Sequence, residues 1–240
     1  MKISGIIPAR YASSRFPGKP LANIKGKPMI QWVYEQASKA KLLSEVIVAT
    51  DNQRIFDCVK SFGGKVEMTA ESHRNGTERI AEVAARSNSD AFINIQGDEP
   101  FIAPEQIDQI AELLNNGAKI ATLVKNLEEE TDIQNPNTVK VARALSGEAL
   151  YFSRFPIPFN RNIANKTNYW QHIGIYGFGK GVLEQLVKLA PTPLEQSESL
   201  EQLRWLENGY AIQTAETDLH NISVDTKADL QALEKHLKSE

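Results

Sequence analysis

ISGIIPARYASSRFPGKPL, residues 3–21, begins as an apolar strand and ends as a basic loop. Ile3, Ile6 and Ile7 supply the β-branched bulk that buried strands favour. Pro8 predicts the end of this strand, because proline cannot donate a hydrogen bond to a central ladder. Ligands of open α/β sheets bind to the loops at the carboxyl ends of the strands. The segment therefore predicts an α/β fold whose ligand site begins directly after the first strand.

The loop after this strand is rich in cations and in small residues. Arg10, Arg15 and Lys19 are interleaved with Ser13 and Gly18. Arginine offers a planar fork to phosphate oxygens, lysine adds a point charge, and glycine lets backbone N–H groups approach closely. These residue types predict a cradle for a polyphosphate. The alternative is a basic loop whose charges are simply solvated.

Strands and helices alternate through the first half of the chain. Further strands are predicted at residues 45–50, 65–69 and 91–96, and apolar residues at helical spacing separate them. Asp51 is the predicted N-cap of the helix that follows the second strand. This repetition predicts βαβ units and a doubly wound, mostly parallel sheet.

The second half is less regular and contains a smaller β-rich part at about residues 125–180. We predict strands at residues 119–125, 138–144, 149–154, 170–178 and 210–216, and helices at residues 180–190, 194–208 and from 225 onward. The alternation in the strand at 170–178 places His172 and Tyr176 on a common face. Without a repeat or a linker signal, residues 1–240 are predicted to form a single domain.

Composition limits the classes of partner. The net charge of −3 and the pI of about 5.9 give no global basic field for nucleic acid. No stretch approaches the eighteen apolar residues of a membrane span, and the N-terminal apolar run is interrupted too early for a signal peptide. Cys58 is the only cysteine, which fits a reducing compartment. We therefore expect a cytoplasmic protein that binds neither nucleic acid nor a membrane.

Two aspartates follow short apolar elements and are candidates for a metal site. Asp98 comes directly after the predicted strand at 91–96, and Asp225 precedes the last helix. Magnesium is usually held by one or two carboxylates, with water and substrate phosphates completing its coordination. The alternatives are a turn aspartate at 98 and a helix N-cap at 225. The sequence alone does not show whether the two carboxylates meet.

Residues 73–79, HRNGTER, join a strand to a helix and could read the edge of a base. Arg79 could reach a phosphate or a pyrimidine carbonyl. The alternative is a capped helix start with solvated charges. The four histidines lack the short spacing of a metal cluster; they are His73, His172, His220 and His236.

Eight segments in order along the chain resemble the CMP-sugar-acid synthetases, a family of cytidylyltransferases. They are residues 7–21, 75–79, 94–100, 135–141, 150–154, 172–177, 200–204 and 224–226. The resemblance implies a fold of the nucleotide-diphosphosugar transferase type and homodimers that dock through the β-rich part. Asn75 is a departure, because the family usually has serine there.

The resemblance also implies a role for each matching residue. Arg10, Ser13, Arg15 and Lys19 would hold the CTP triphosphate, and Asn75, Gly76 and Arg79 would face the cytidine. Asp98 and Asp225 would bind catalytic Mg²⁺ and, with Arg10 and Lys19, form the catalytic set. The sugar acid would be bound by Gln96, Arg154, His172, Tyr176, Glu201 and Gln202.

The motifs are most similar to the branch of the family that acts on 3-deoxy-manno-octulosonate (Kdo). The implied reaction is attack of the anomeric hydroxyl of Kdo on the α-phosphate of CTP, which gives CMP-Kdo for lipopolysaccharide synthesis and releases pyrophosphate. Two other readings stay open. One is CMP activation of a related acid, of the 8-amino-Kdo or sialate type. The other is a nucleotide-binding protein without catalysis.

Overall fold

The computed structural model describes residues 1–12, 16–162, 164, 167–219 and 222–236. Its described residues form a nine-stranded sheet. Seven of the strands follow the order β11-β7-β10-β6-β1-β4-β5, and the other two are β8, which pairs with β10, and β9, which pairs with β8. The strands are β1 (Ile3–Ala9), β2 (Asn23–Ile24), β3 (Lys27–Pro28), β4 (Glu45–Thr50), β5 (Val66–Met68), β6 (Ala91–Asn94), β7 (Ile120–Leu127), β8 (Lys140–Arg143), β9 (Ala149–Ser153), β10 (Tyr169–Gly179) and β11 (Gln213–Glu216). The pair β2 and β3 forms a separate small hairpin.

Helices cover the faces of the main sheet. They are α1 (Met29–Ala37), α2 (Gln53–Ser61), α3 (Gly76–Arg86), α4 (Pro104–Asn115), α5 (Glu130–Gln134), α6 (Lys180–Leu186), α7 (Pro193–Glu198), α8 (Glu201–Glu207) and α9 (Lys227–His236). A single 3-10 turn spans Lys19–Leu21. No helix in the described part of the chain is both long enough and apolar enough to cross a bilayer.

The first strand shows why the sheet is covered on both faces. Ile7 packs into the core shared with α1, α2 and α4, whereas Ile6 packs into the core shared with α3, α6 and α8. Both side chains are fully buried. Strand β1 lies parallel to β4 and to β6, and β4 lies parallel to β5. Alternating side chains of one buried strand therefore serve two cores, and the predicted mostly parallel, doubly wound fold is confirmed.

Strand β10 interrupts this parallel order. It runs antiparallel to β6 on one side and to β7 on the other, and its outer end also pairs with β8. Its register to β7 shifts between Ile173 and Tyr176. A shift of this kind bends a strand and redirects its side chains. The predicted common face of His172 and Tyr176 is confirmed, since their rings lie 5.2 Å apart between centroids.

Three local predictions were wrong. Strand β1 does not end at Pro8 but continues to Ala9, because pairing with β6 ends at Ile6 and leaves Pro8 a neighbouring strand on one side only. The helix expected at residues 194–208 is two helices, α7 and α8, because Ser199 adopts the left-handed conformation with φ of 53° and ends the first of them. The N-cap of α2 is Asn52, whose side chain accepts from the backbone N–H of Arg54. Asp51 instead accepts a hydrogen bond from Arg79 at 2.6 Å. The hairpin of β2 and β3 and the short helix α5 were not predicted.

Candidate active site

Two pockets open side by side where β1 and β6 end. The first has a volume of about 320 Å³ and lies beneath the N-terminal loop and the start of α3. Its lining includes Pro8, Ala9, Arg10, Lys19, His73, Arg74, Asn75, Gly76, Arg79 and Gly97. It therefore contains most of the positively charged and small residues that the sequence assigned to a nucleotide.

The second pocket has a volume of about 350 Å³ and is built mainly by the later part of the chain. Its lining includes Thr77, Asn94, Glu99, His172, Gly174, Tyr176, Glu201, Gln202, Trp205 and Ser223. Gln96, Asp98 and Asp225 line both pockets. A molecule in one pocket can therefore meet a molecule in the other beside two carboxylates and a carboxamide.

Lys19 joins the two aspartates at this junction. Its ammonium donates to Asp98 with an Nζ–Oδ2 distance of 2.7 Å and to Asp225 with an Nζ–Oδ1 distance of 3.3 Å. The backbone N–H of Val224 donates to the carbonyl of Asp98 at 2.9 Å, which ties the two loops together. Gly18, with φ of 71°, makes the left-handed turn that leads into the turn at Lys19. The two carboxylates that the sequence could not place together do meet.

The donor set at the junction fits a hard divalent cation. Among the described residues, no three His, Cys, Asp or Glu side chains cluster as a metal site. Proteins usually hold Mg²⁺ with one or two carboxylates, while water and substrate phosphates supply the further oxygen ligands. Asp98 and Asp225 are two carboxylates close enough to share the Lys19 ammonium. Asp98 and Asp225 keep 28% and 40% of their side-chain surface exposed, so both can reach an ion in the pockets.

Arg79 lines the first pocket with its charge already matched. Its guanidinium donates to Asp51 at 2.6 Å, to the Thr69 hydroxyl at 2.6 Å and to the Ala70 carbonyl at 3.3 Å. The arginine side chain is only 3% exposed. A buried, paired cation forms a rigid wall for a ligand, so Arg79 is better suited to shape the floor of the pocket than to reach for a phosphate.

Glu201 lies at the back of the second pocket and is held by the start of α3. Its carboxylate accepts from Asn75 Nδ2 at 2.8 Å and from the Thr77 hydroxyl at 2.9 Å. Burial raises the pKa of Glu201, and the Thr77 hydrogen bond opposes that effect. Gln96 is fixed nearby, because its side-chain nitrogen donates to the carbonyl of Gly174 at 2.9 Å.

His172 is enclosed by aromatic rings. Phe152 meets it edge-on at 5.2 Å and Tyr176 lies at 5.2 Å on another side. Its Nε2 is 3.1 Å from the hydroxyl of Thr122. This apolar packing lowers the pKa of His172 to about 3, because burial disfavours the imidazolium. His172 therefore presents a neutral imidazole at physiological pH, and the same burial raises the pKa of Tyr176.

The structure does not bring Arg154 to either pocket. Its guanidinium donates instead to the carbonyls of Glu198, Pro136 and Ser199, and its backbone N–H donates to the Glu198 carboxylate. The physical reason is its place in the sheet: β9, which ends just before it, pairs only with β8 among the described strands. Ser13 and Arg15 lie outside the described residues. The other predicted site residues line one or both pockets.

Several pocket residues were not singled out from the sequence. Asn94 is the last residue of β6, and Trp205 lies in α8. The buried Asn94 Oδ1 and Trp205 Nε1 have no hydrogen-bond partner among the described residues, which marks this pocket as a place for a polar ligand. Asn94 could have been recognised from the sequence as a candidate pocket residue, because it is a polar residue at the end of a buried strand. Nothing local distinguishes Trp205 from an ordinary core tryptophan.

Comparisons with known proteins show the family of the chain. Residues 4–217 match the sequence model of the cytidylyltransferase family. A 3-deoxy-manno-octulosonate cytidylyltransferase of Geobacter metallireducens is 48% identical, with 99% of this chain and 98% of the relative covered. One of Cytophaga hutchinsonii is 49% identical over 96% of this chain and 95% of its own. A solved CMP:2-keto-3-deoxy-manno-octonic acid synthetase complexed with CTP is 42% identical and has a TM-score of 0.95, covering 100% of this chain and 99% of its own.

Proposed function

The chain belongs to the cytidylyltransferase family, and from that membership we propose that it transfers CMP from CTP to the anomeric hydroxyl of Kdo. The observation that carries the proposal is the junction of the two pockets at Gln96, Asp98 and Asp225. One pocket suits a nucleoside triphosphate and the other suits a polyhydroxylated acid. The reacting hydroxyl and the α-phosphate would meet where the pockets meet.

The proposed reaction is a single displacement at phosphorus. The anomeric oxygen of Kdo forms a bond to the α-phosphorus of CTP, the bond from that phosphorus to the bridging oxygen breaks, and pyrophosphate leaves. The proton of the hydroxyl is released to water. The work of the protein is to hold the two substrates in line and to balance negative charge.

The residues of the first pocket suit the charged part of this task. Arg10 and Lys19 lie beside the end of β1 and would hold phosphate oxygens. Ser13 and Arg15 of the same loop are proposed to assist them. Asn75, Gly76 and Arg79 form the side of the pocket proposed for the cytidine. A fixed set of cations costs little reorganisation as charge moves onto the leaving pyrophosphate.

The second pocket would orient the sugar acid. Gln96, Glu201 and Gln202 offer amide and carboxylate groups to hydroxyls, and neutral His172 can donate or accept a hydrogen bond. Tyr176 and Trp205 form an aromatic wall, with their rings edge to face at 5.0 Å. Aromatic faces and paired hydrogen-bonding groups are a common lining for small polar ligands.

We propose Mg²⁺ as the cofactor, held by Asp98 and Asp225. When bound, the ion supplies positive charge that stabilises the attacking and leaving oxygens of a phosphoryl group. Lys19 already shares both carboxylates, so it keeps them at the junction when no other cation is near. Oxygen-only ligands and partial exposure support this assignment.

A homodimer is supported by exposed apolar side chains in and beside the β-rich part. Leu145, Leu150, Phe155 and Phe159 have exposures of 110%, 61%, 71% and 81%. Several large apolar side chains exposed in one part of a chain are typical of an interface. Sedimentation analysis should show a dimer that Leu150→Ser weakens and that Leu42→Ser, a change at a leucine 38% exposed before β4, leaves intact. A wild-type monomer would contradict this part of the proposal.

We further propose that the protein works in the cytoplasm and supplies CMP-Kdo for lipopolysaccharide synthesis. The single cysteine, Cys58, is compatible with a reducing compartment. The net charge of −3 gives no global basic field for binding along nucleic acid, so anionic substrates would depend on local cations such as Arg10 and Lys19.

The test is pyrophosphate release with CTP and Mg²⁺ across three acids: Kdo, 8-amino-Kdo and N-acetylneuraminate. Rapid release with Kdo alone is the expected result. Release with only one of the other acids would keep the reaction class and reassign the second pocket. CTP binding without release for any acid would favour the non-catalytic reading.

A further inference from the structure

Both ends of the Asn75 side-chain amide are engaged. Its Oδ1 accepts from the backbone N–H of Glu78 at 2.8 Å and caps α3. Its Nδ2 donates to Oε1 of Glu201 at 2.8 Å, and the Thr77 hydroxyl donates to Oε2 of the same carboxylate at 2.9 Å. Two donors from the first turns of α3 therefore hold the two oxygens of a residue that lies 126 positions later than Asn75.

This contact crosses the wall between the two pockets. Asn75 and Gly76 line the first pocket, whereas Thr77 and Glu201 line the second. The start of α3 is pressed against the end of β1, since a Cβ at Gly76 would lie 3.2 Å from Cγ of Pro8. The donors of Glu201 therefore sit on a fixed part of the sheet edge. A largely buried carboxylate depends on such donors, because little water is available to replace them.

We infer that Asn75 is a positioning residue for the sugar acid, acting through Glu201, even though it lines the first pocket. The inference rests on the proposed function and names the residue that orients one carboxylate of the Kdo site. With both donors present, Glu201 offers a substrate hydroxyl an acceptor in a fixed direction. With Thr77 alone it can rotate, and the sugar acid binds less tightly, whereas CTP binding changes much less.

Asn75→Ser separates this role from helix capping. Serine is as good an N-cap as asparagine, but its single short hydroxyl cannot cap α3 and also span the distance to Glu201. We expect the KM for Kdo to rise roughly tenfold, the size of one hydrogen bond to a charged group. The KM for CTP should change much less than the KM for Kdo, because serine keeps a hydroxyl at this edge of the first pocket, and the melting temperature should stay close to the wild-type value.

Asn52→Ser is the matched control. Asn52 caps α2 in the same way, with its Oδ1 accepting from the backbone N–H of Arg54 at 3.0 Å. The same substitution at the same helix position should leave the KM values for both Kdo and CTP unchanged. A rise in the KM for Kdo in this control as well would mean that capping, and not the contact with Glu201, is responsible.

A double-mutant cycle with Glu201→Ala tests the route of the effect. If Asn75 acts only through Glu201, Asn75→Ser should raise the KM for Kdo in the wild-type background and add nothing in the Glu201→Ala background. The Thr77→Val variant should behave like Asn75→Ser, because it removes the other donor to the same carboxylate.

The pH profile gives a readout that a structural role would not change. Burial already raises the pKa of Glu201, and losing a donor to its ionised form raises it further. The acid limb of kcat/KM for Kdo should therefore move to higher pH in Asn75→Ser and stay in place in Asn52→Ser. The charged and titratable groups around this carboxylate are Glu78 in α3, Glu195 in α7, Arg204 in α8 and Tyr176 in β10.

The outcomes separate this inference from the proposed function. A wild-type protein that releases no pyrophosphate from CTP and Kdo would overturn both. Wild-type turnover with an unchanged KM for Kdo in Asn75→Ser would overturn the inference alone. The same holds if the main effect of Asn75→Ser falls on the KM for CTP, because Asn75 would then serve the pocket that it lines.

Discussion

The two pockets of the active site differ in how they are built. The first is formed by loops and a helix start that follow strands of the parallel part of the sheet, and its charged side chains, apart from the buried Arg79, are at least partly exposed to solvent. The second includes Tyr176 and Trp205, which also belong to one of the two large cores. A change in the first pocket should therefore alter function with little effect on folding, whereas a change in the second should alter both.

Asp98 tests the junction that both pockets share, and it should give the largest effect. Asp98→Asn removes one of the two carboxylates beside Lys19 and half of the proposed metal site. We expect kcat to fall roughly a thousandfold, about 4 kcal/mol in the transition state, as for loss of a metal clamp. Steady-state kinetics over a range of Mg²⁺ concentrations would measure this loss.

Asp108→Asn is the control for that variant. Asp108 accepts backbone hydrogen bonds from Lys41 and Leu42 in an exposed place away from the pockets, so its replacement should leave turnover normal. Near-normal kcat for Asp98→Asn at saturating Mg²⁺ would contradict the metal assignment, and the two pockets would then lack a shared catalytic centre.

Lys19 tests the first pocket alone. Lys19→Ala should lower kcat/KM for CTP on the order of a hundredfold, because a fixed cation beside the phosphates is lost. Its ion pairs with Asp98 and Asp225 are partly exposed and contribute little to folding, so the melting temperature should move only slightly. Calorimetry and CTP titrations would separate the two effects.

Lys27→Ala is the matched lysine variant. Lys27 pairs with Glu35 at 2.7 Å on the surface and is 41% exposed. The Lys27→Ala variant should keep kinetic constants and a melting temperature close to those of the wild type. Unchanged kinetics in Lys19→Ala would return the N-terminal loop to the simpler interpretation of a solvated basic segment.

The same contrast explains what the sequence could predict. Lys19 follows β1 and Asp98 follows β6, and these two strands are parallel neighbours. The prediction that both residues lie after strand ends was therefore enough to place them at the same edge of the sheet. His172 and Tyr176 were correctly placed on one face, because alternation along a single strand is local information. Local patterns were sufficient wherever one element, or two adjacent parallel strands, decided the geometry.

Contacts that depend on packing between distant elements could not be predicted. The contact of Asn75 with Glu201 requires α3 and α8 to meet across the sheet edge, and no local pattern encodes that distance. Arg154 follows a strand, as Asp98 does, but β8 lies between that strand and β10, and the Arg154 side chain lies outside both pockets. Strand order, rather than strand identity, decided which predicted residues reached the pockets.

His172 tests whether the second pocket behaves as part of the core, and it should give the smallest effect. Its native pKa of about 3 is below the unfolded value of 6.5, so the unfolded state binds the extra proton as the pH falls below 6.5. The free energy of unfolding should therefore drop by about 2 kcal/mol from this residue between pH 7.5 and 5. His172→Gln should abolish that part of the pH dependence in denaturant titrations, whereas His73→Gln, at a histidine paired with Glu82 at 2.6 Å, should retain it. An unaltered pH dependence in His172→Gln would show that the imidazole is solvated, and the second pocket would then be as open as the first.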